Sequence, residues 1–124
     1  MNSNTIIHLK NVTIAQRELT ILNNISFDIE RGEFIYLIGK TGSGKSSLLK
    51  ALYAENRIKS GVAEVAGHAL INIKKRNVLE LRRKLGIIFQ DFQLLTDRSI
   101  ADNLLFVMKA TGWKDKKKIN NRIN

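Results

Sequence analysis

The chain has 124 residues, of which 44% are hydrophobic, and it carries a formal net charge of +10. This length allows one domain or part of one, and the hydrophobic fraction is sufficient for a real core. There is no cysteine, which excludes disulfides and cysteine-based metal sites and favours a reducing compartment. No apolar run approaches the roughly 18 residues of a membrane span, and residues 1–5 lack the order of a signal peptide. These features predict a soluble, cytoplasmic protein.

Two segments with alternating polarity open the chain. Apolar and polar residues alternate imperfectly over residues 6–14 and again over residues 21–30, where Ile25, Phe27 and Ile29 share one face. Alternation with a period of two residues is typical of half-exposed strands. Central parallel strands, in contrast, are apolar on both faces. The two segments therefore predict an antiparallel pair.

A glycine-rich loop follows, set between an apolar run and a helical pattern. Residues 34–38 are continuously apolar, as expected for a parallel strand buried on both faces. Apolar residues from Leu48 to Tyr53 recur at helical spacing, which predicts a helix to about Asn56. The loop between these segments matches the pattern G-x-x-x-x-G-K-[ST].

This loop predicts a binding site for a nucleoside triphosphate, ATP being the first candidate, together with Mg²⁺. Glycines let consecutive backbone N–H groups turn inward around phosphate oxygens, where a side chain would block the approach. Lys45 would act as the catalytic cation on the β- and γ-phosphates, the Ser46 hydroxyl would ligate Mg²⁺, and the helix would add its positive end. The predicted phosphate-binding residues are Gly39, Lys40, Thr41, Gly42, Ser43, Gly44, Lys45, Ser46 and Ser47. The strand, loop and helix context disfavours the alternative of a glycine turn that binds nothing.

The second half of the chain alternates short elements and turns. The predicted elements, in chain order, are a turn at Ser60–Gly61, a short strand over residues 62–66, a bend at Gly67–His68, a short basic helix over residues 77–84, a second buried strand over residues 85–89 and a loop over residues 91–98. Ser99 then begins an S-x-x-D capping pattern with Asp102, which predicts a helix that Gly112 closes. A further helix is expected from Lys114 onward. An antiparallel edge combined with βαβ units predicts a layered α/β nucleotide-binding fold.

The positive charge is concentrated in three clusters, at residues 74–76, 82–84 and 114–118. Such clusters could meet nucleic acid or an anionic membrane surface. Almost no aromatic residues interleave with them, so a platform that stacks single-stranded bases is poorly supported. The sequence favours a solvated or membrane-facing basic surface over nucleic-acid binding.

Taken together, these features resemble the ATP-binding subunits of ATP-binding cassette (ABC) transporters, and the resemblance extends over essentially the whole length of the sequence. Besides the phosphate loop, the resemblance rests on the Ser60–Gly61 turn with the following strand and Gly67, and on residues 85–90, which are similar to the family's Q-loop. Within the family, residues 81–86 and 89–98 are most similar to the FtsE group of cell-division ATP-binding proteins. Lipoprotein-release and macrolide-export subunits are the alternatives.

The resemblance implies a P-loop NTPase (RecA-like) core with an N-terminal antiparallel β-subdomain, of which this chain is the N-terminal part. The implied boundaries are residues 1–33 for the β-subdomain, 34–56 for the phosphate-loop strand and helix, 57–90 for the connection to the Q-loop and 91–124 for the start of the helical subdomain. The family's signature motif, acidic strand end and switch histidine have no match among these 124 residues. Neither His8 nor His68 stands at a suitable position for the switch.

The resemblance also implies a mechanism and partners. The intact parent would be an ATPase that works as a homodimer at the inner face of the cell membrane, on an integral membrane partner similar to the permease FtsX. Gln90 would approach Mg²⁺ and the attacking water, and residues 91–100 would lie toward the membrane partner. Two alternatives remain: a non-catalytic nucleotide-binding fragment, and a basic P-loop protein associated with nucleic acid.

One departure concerns adenine. The family usually places an aromatic residue at the position of Ala15 or Gln16, whereas the first aromatic residue of this chain is Phe27. Arg17 is the nearest side chain that could stack a planar guanidinium on the base. We therefore expect Arg17 to take the role of the missing aromatic residue.

Overall fold

The structure, a computed structural model, describes residues 3–90 and 94–124. It comprises two compact units, the first ending at Leu85 and the second running from Gly86 to Asn124. The first unit contains strands β1 (Thr5–Gln16), β2 (Leu19–Glu30), β3 (Arg57–Val65) and β4 (His68–Ala69) and helices α1 (Lys45–Leu52) and α2 (Lys75–Arg83). The second unit contains helices α3 (Ile100–Ala110) and α4 (Lys116–Ile123).

The four strands form one sheet in the order β2-β1-β3-β4, and every pairing is antiparallel. The antiparallel pair predicted for the first two segments is confirmed, with Leu9 opposite Phe27 on one side and opposite Ala63 on the other. The alternation along β2 is also present, since Ile25, Phe27 and Ile29 are half-buried and the residues between them are exposed.

The core of the first unit lies between the sheet and the two helices. Strand residues such as Leu9, Val12 and Ile14 pack in one cluster with Leu48 of α1 and Leu81 of α2. Burying one such aliphatic side chain contributes about 1.5–3 kcal/mol. The basic helix predicted over residues 77–84 is confirmed as α2, and Leu81 is its contribution to the buried core.

The turn predicted at Ser60–Gly61 is wrong, because both residues lie inside β3. Opposite them, β1 shifts its register between Lys10 and Thr13, and Asn11 has a φ of 51°. Gly61 has a φ of 96°, and a Cβ built there would lie 2.4 Å from the backbone oxygen of Asn11. The glycine therefore marks a bulge where two backbones approach closely. The predicted short strand is the C-terminal part of this longer one.

Helix α1 ends at Leu52, earlier than the predicted Asn56. Ala54 has a left-handed φ of 64°, and the N–H groups of Glu55 and Asn56 both return to the oxygen of Lys50, at 2.8 and 3.2 Å. This closes the helix in the way that a C-terminal glycine usually does. Because the left-handed residue is an alanine, the sequence carried no stop signal there.

The two predicted buried strands, residues 34–38 and 85–89, are not strands. Phe34 is 80% exposed, Ile38 is 88% exposed and Ile88 is fully exposed. A strand requires a neighbour for its backbone hydrogen bonds, and within the described residues neither segment pairs with the sheet. Both strand predictions are therefore wrong, because an apolar composition alone does not supply a partner strand.

The helix starts and stops predicted in the second unit are confirmed. The side chain of Ser99 accepts a hydrogen bond from the N–H of Asp102 at 3.1 Å and caps α3. After α3, Gly112 has a φ of 97°, and the N–H of Trp113 donates to the oxygen of Met108 at 3.0 Å. This is the geometry of a glycine-terminated helix. The further helix expected from Lys114 is α4.

Candidate functional site

Two glycines shape the predicted phosphate loop. Gly42 and Gly44 have φ values of 81° and 96°, in the left-handed region that favours glycine. Between them, the N–H of Ser43 donates to the oxygen of Lys40 at 3.0 Å and curls the loop. A Cβ at Gly44 would lie 2.7 Å from a terminal methyl group of Leu22. The end of the loop therefore rests directly against β2.

The start of α1 presents backbone donors. The first N–H groups of any helix lack partners within that helix, and here the N–H of Leu48 makes the bond back to the oxygen of Gly44 at 2.9 Å. No side chain caps this helix, and its first turn has no acidic residue. The N–H groups of Lys45, Ser46 and Ser47 thus stand at the positive end of a helix, where an anion is stabilised.

Lys45, the first residue of α1, turns its ammonium back onto the loop. Its Nζ donates to the backbone oxygen of Gly39, to that of Lys40 at 2.8 Å and to the hydroxyl oxygen of Ser43 at 3.4 Å. All three acceptors belong to the loop itself. The ammonium is therefore held close to the predicted phosphate loop by the loop's own oxygens.

The two serines that follow differ in exposure. Ser46 is exposed, whereas Ser47 is half-buried and its backbone oxygen accepts a hydrogen bond from Nδ2 of Asn56 at 3.1 Å. Asn56 is 8% exposed and lies just before β3. It ties the first turn of α1 to the sheet. Sequence reasoning missed it, because an asparagine after a helix is more readily read as a turn residue.

The hydroxyl of Ser46 fits a Mg²⁺ ion held mainly by phosphate. It offers one neutral oxygen, and Mg²⁺ is commonly bound through substrate phosphates, a few protein oxygens and water. Among residues 3–90 and 94–124, no three His, Cys, Asp or Glu side chains come together as a metal site. Ser46 belongs to the first unit, while Gln90 is exposed and belongs to the second.

Arg17 lies at the tip of the hairpin that joins β1 and β2, with a φ of 58°. Gln16, Arg17, Glu18 and Leu19 line an open hollow there. Of the two positions where an aromatic residue is missing, Ala15 is buried in the core and Gln16 is exposed. Leu22, which rests against Gly44, is three residues from Leu19, or about 10 Å along the strand. The hairpin tip and the phosphate loop therefore belong to one region of the first unit.

The side chain of Asn103 binds the backbone of the segment that directly precedes α3. Residues 91–93 of the predicted loop lie outside the described residues, and Leu94 and Ile100 are exposed. Oδ1 of Asn103 accepts from the N–H of Leu95 at 2.8 Å, and its Nδ2 donates to the oxygens of Leu95 and Ser99 at 3.0 and 2.9 Å. Asn103 was not singled out from the sequence, since its spacing matched no motif.

Neither histidine belongs to the phosphate loop. Nδ1 of His8 lies 2.5 Å from Oδ1 of Asp28, across the β1–β2 pair. His68 begins β4, and its Nε2 is buried without a hydrogen-bond partner within the part of the chain that the structure describes.

A glycine loop that leads into an uncapped helix start, with a lysine as the first helical residue, defines a phosphate-binding loop of the P-loop class. The comparison with known families is more specific. Residues 22–124 match the ABC transporter family. The chain belongs to this family, as the resemblance in the sequence predicted.

Two groups of relatives are similarly close. The chain is 38% identical over 104 residues to the cell division ATP-binding protein FtsE of Streptococcus pneumoniae serotype 2, covering 84% of this chain and 45% of that protein. It is 39% identical over 98 residues to the methionine import ATP-binding protein MetN of Nocardia farcinica, covering 79% of this chain and 29% of that protein. The chain thus spans less than half the length of these relatives.

Solved structures agree on the fold. A bacterial ABC transporter cassette in dimeric form superposes with a TM-score of 0.77 at 26% identity, over 94% of this chain and 53% of that one. A Clostridium perfringens subunit of an ABC transporter complex superposes with a TM-score of 0.76 at 23% identity, over 97% of this chain and 48% of that one. The predicted fold class, a partial ABC-type nucleotide-binding domain, is confirmed. In residues 3–90 and 94–124, no helix has the length and apolar character needed to cross a bilayer.

Proposed function

We propose that the chain supplies the phosphate-binding part of an ABC-type ATP-binding subunit of the FtsE kind. The intact parent would couple ATP binding and hydrolysis to an integral membrane partner, an FtsX-like permease, in cell division. The observation that carries the proposal is the uncapped start of α1 beside a lysine ammonium that already contacts the loop. The resemblance of residues 81–86 and 89–98 to the FtsE group favours that kind.

Within this proposal, each residue of the loop has a chemical role. The backbone N–H groups at the start of α1 would hold phosphate oxygens, and Lys45 would offset charge on the β- and γ-phosphates. Ser46 would ligate Mg²⁺, and Gln90 would contact Mg²⁺ and orient the attacking water. Because phosphoryl transfer depends on groups placed around the phosphate from several directions, these residues supply only one side of the site. Homodimerisation of cassettes would supply the other.

A Mg²⁺-ATP titration by calorimetry tests the phosphate site. Lys45→Ala should weaken binding by about 10- to 100-fold, the usual cost of losing a hydrogen bond to a charged group. Lys59→Ala, which removes the same charge from an exposed position on β3, should leave the affinity unchanged. Equal affinities for all three proteins would overturn the assignment of the site.

A phosphate-release assay then separates an enzyme from a binding fragment. Turnover that disappears in Lys45→Ala would support catalysis by this chain. Binding without turnover would support the alternative, a non-catalytic fragment. A separate experiment decides between the FtsE kind and a methionine-import subunit, which the similarity to MetN supports. Co-purification with an FtsX-like permease would favour the first, and co-purification with a methionine-import permease would favour the second.

We further propose that the guanidinium of Arg17 stacks on adenine. Arg17→Ala should then weaken ATP binding by about 2- to 30-fold and leave inorganic tripolyphosphate binding unchanged, because tripolyphosphate has no base. Glu18→Ala, in the same turn, is the matched control. If Arg17→Ala leaves the ATP affinity unchanged, the stacking is wrong, whereas the phosphate site would still stand on the Lys45 result.

A further inference from the structure

Helix α4 and the residues on either side of it, 113–115 and 124, carry an unusually basic surface. Residues 113–124 contain five cationic side chains and one carboxylate, that of Asp115. The cationic residues are Lys114, Lys116, Lys117, Lys118 and Arg122, and all five are exposed. No described carboxylate forms an ion pair with any of them.

The single carboxylate is already engaged in capping. Oδ1 of Asp115 accepts from the N–H groups of Lys117 and Lys118, at 2.9 and 3.4 Å, and so holds the first turn of α4. Because this acid faces the helix start, it offsets the helix dipole and leaves the lysine ammoniums free for an external anion.

The burial of α4 fixes which side remains available. Ile119 is 4% exposed, and α4 packs against α3 within the second unit. Lys117 is two residues from Ile119, which places it about 200° around the helix, on the opposite face. Lys118 lies about 100° from Ile119, and Lys116 and Arg122 lie about 60° to either side of it but are still exposed. The basic side chains therefore spread around the exposed surface of α4, which we call its basic face.

An aromatic residue adjoins this basic surface. Trp113 is 41% exposed and directly precedes Lys114. Indole rings favour the boundary between lipid headgroups and acyl chains, and clusters of lysine favour anionic headgroups. A surface for single-stranded nucleic acid would need several stacking aromatics, and residues 113–124 contain one.

From this charge complementarity we propose that Trp113 and the basic face of α4 bind an anionic lipid bilayer directly, with the indole at the headgroup level. This goes beyond attachment through a membrane protein partner, and it does not depend on nucleotide. The bound group would be the phosphate of a lipid headgroup.

Trp113 is the only tryptophan of the chain, so its fluorescence reports on this site without labelling. With the full 124-residue chain and vesicles of phosphatidylcholine containing about one third phosphatidylglycerol, its emission should shift to the blue and be quenched by brominated acyl chains. Pure phosphatidylcholine vesicles should produce neither change. Salt at about 0.5 M should release the chain, since the attraction is screened.

Two variants with equal charge make the test specific. Replacing Lys116, Lys117 and Lys118 by glutamine removes three charges from α4, and replacing Lys74, Lys75 and Arg76 by glutamine removes three from the first unit. The α4 variant should lose about 100-fold in vesicle affinity by sedimentation, and the other variant much less. Glutamine is a good helix former, and circular dichroism checks that α4 persists. Equal losses in both variants, unchanged Trp113 emission on binding, or tighter binding to duplex DNA at the same salt would each overturn the proposal.

Discussion

Gly42 and Gly44 of the phosphate loop share a left-handed backbone but differ in their surroundings. Nothing lies within 4 Å of a Cβ at Gly42, whereas a Cβ at Gly44 would meet Leu22 at 2.7 Å. Gly42→Ala should therefore cost only the backbone strain, about 1–2 kcal/mol of unfolding free energy. Gly44→Ala adds overpacking and should cost about 2–5 kcal/mol. Urea unfolding of both variants measures the difference.

Leu22→Ala in the Gly44→Ala background provides the control for this steric explanation. If the clash with Leu22 causes the extra loss, the double variant should be more stable than the sum of the two single effects predicts. Additive losses would instead assign the whole cost of Gly44→Ala to its backbone.

Tyr53, at the end of α1, has a pKa that the fold raises. Burial raises the pKa of Tyr53 to about 12, the hydrogen bond with Glu55 and the charge of Glu55 add to the rise, and the charge of Arg82 opposes it. Because the folded pKa lies above the ordinary value of about 10, folding favours the neutral phenol. The contribution to stability is fully present below pH 10 and is lost as the pH rises toward 12.

Thermal unfolding of the wild type and Tyr53→Phe across this pH window checks the sign of the pH dependence that Tyr53 gives to the stability. The wild type should lose more stability than the variant between about pH 10 and 12.

Phenolate absorbance supplies the control. The late-titrating phenol should persist in Tyr36→Phe, where the exposed tyrosine of the chain is removed, and disappear in Tyr53→Phe. If Tyr53→Phe still contains a phenol that titrates at the higher pH, the assignment of the raised pKa to Tyr53 is wrong.

At the scale of elements, the segment before α3 depends on Asn103. Its side chain makes three hydrogen bonds of 3.0 Å or less to the backbone of Leu95 and Ser99. Asn103→Ala should therefore lower the unfolding free energy of this segment by about 1–3 kcal/mol and accelerate hydrogen exchange at the Leu95 amide. Asn121→Ala, on the exposed face of α4, should change the unfolding free energy by no more than about 0.5 kcal/mol. It should leave hydrogen exchange at the Leu95 amide unchanged. An unchanged exchange rate at Leu95 would show that the bonds contribute nothing to local stability.

The sequence predicted the elements that are determined by residues close together in the chain, and it missed those that depend on distant residues. The strand pair β1–β2 and the capped helix α3 follow from alternation and from the Ser99–Asp102 pattern, so they were predicted. The end of α1 was not, because a left-handed alanine carries no signal, and Gly61 was read as a turn because a bulge depends on the opposite strand. The phosphate loop could be predicted from the sequence because its motif is contiguous. Asn56 and Asn103 were missed because their partners are set by the fold.

At the scale of the whole molecule, the apolar segment of residues 34–38 is the main departure from a well-buried chain. Its side chains are 44–88% exposed, and exposed apolar patches or unpaired extended segments promote self-association. We expect the isolated chain to be poorly soluble or loosely folded. Ile38→Lys should raise severalfold the concentration at which light scattering detects association.

Leu19→Lys is the matched control, because it makes the same chemical change at a residue that is 69% exposed on the hairpin. It should raise that concentration much less. A wild-type chain that remains monomeric and unfolds in one sharp transition would contradict the expectation.

The hydrogen bonds that Lys45 makes to its own loop bear on the heat of the nucleotide binding proposed for this chain. Its ammonium has three donors, and three loop oxygens already accept from it. A triphosphate that binds as proposed would therefore enter by exchange, since it would take the ammonium of Lys45 away from loop oxygens that already accept from it. The enthalpy released should be smaller than a count of new phosphate bonds suggests. The freed oxygens of Gly39 and Lys40 must then find water, which makes affinity for phosphate sensitive to how well the loop is hydrated once the ligand is bound.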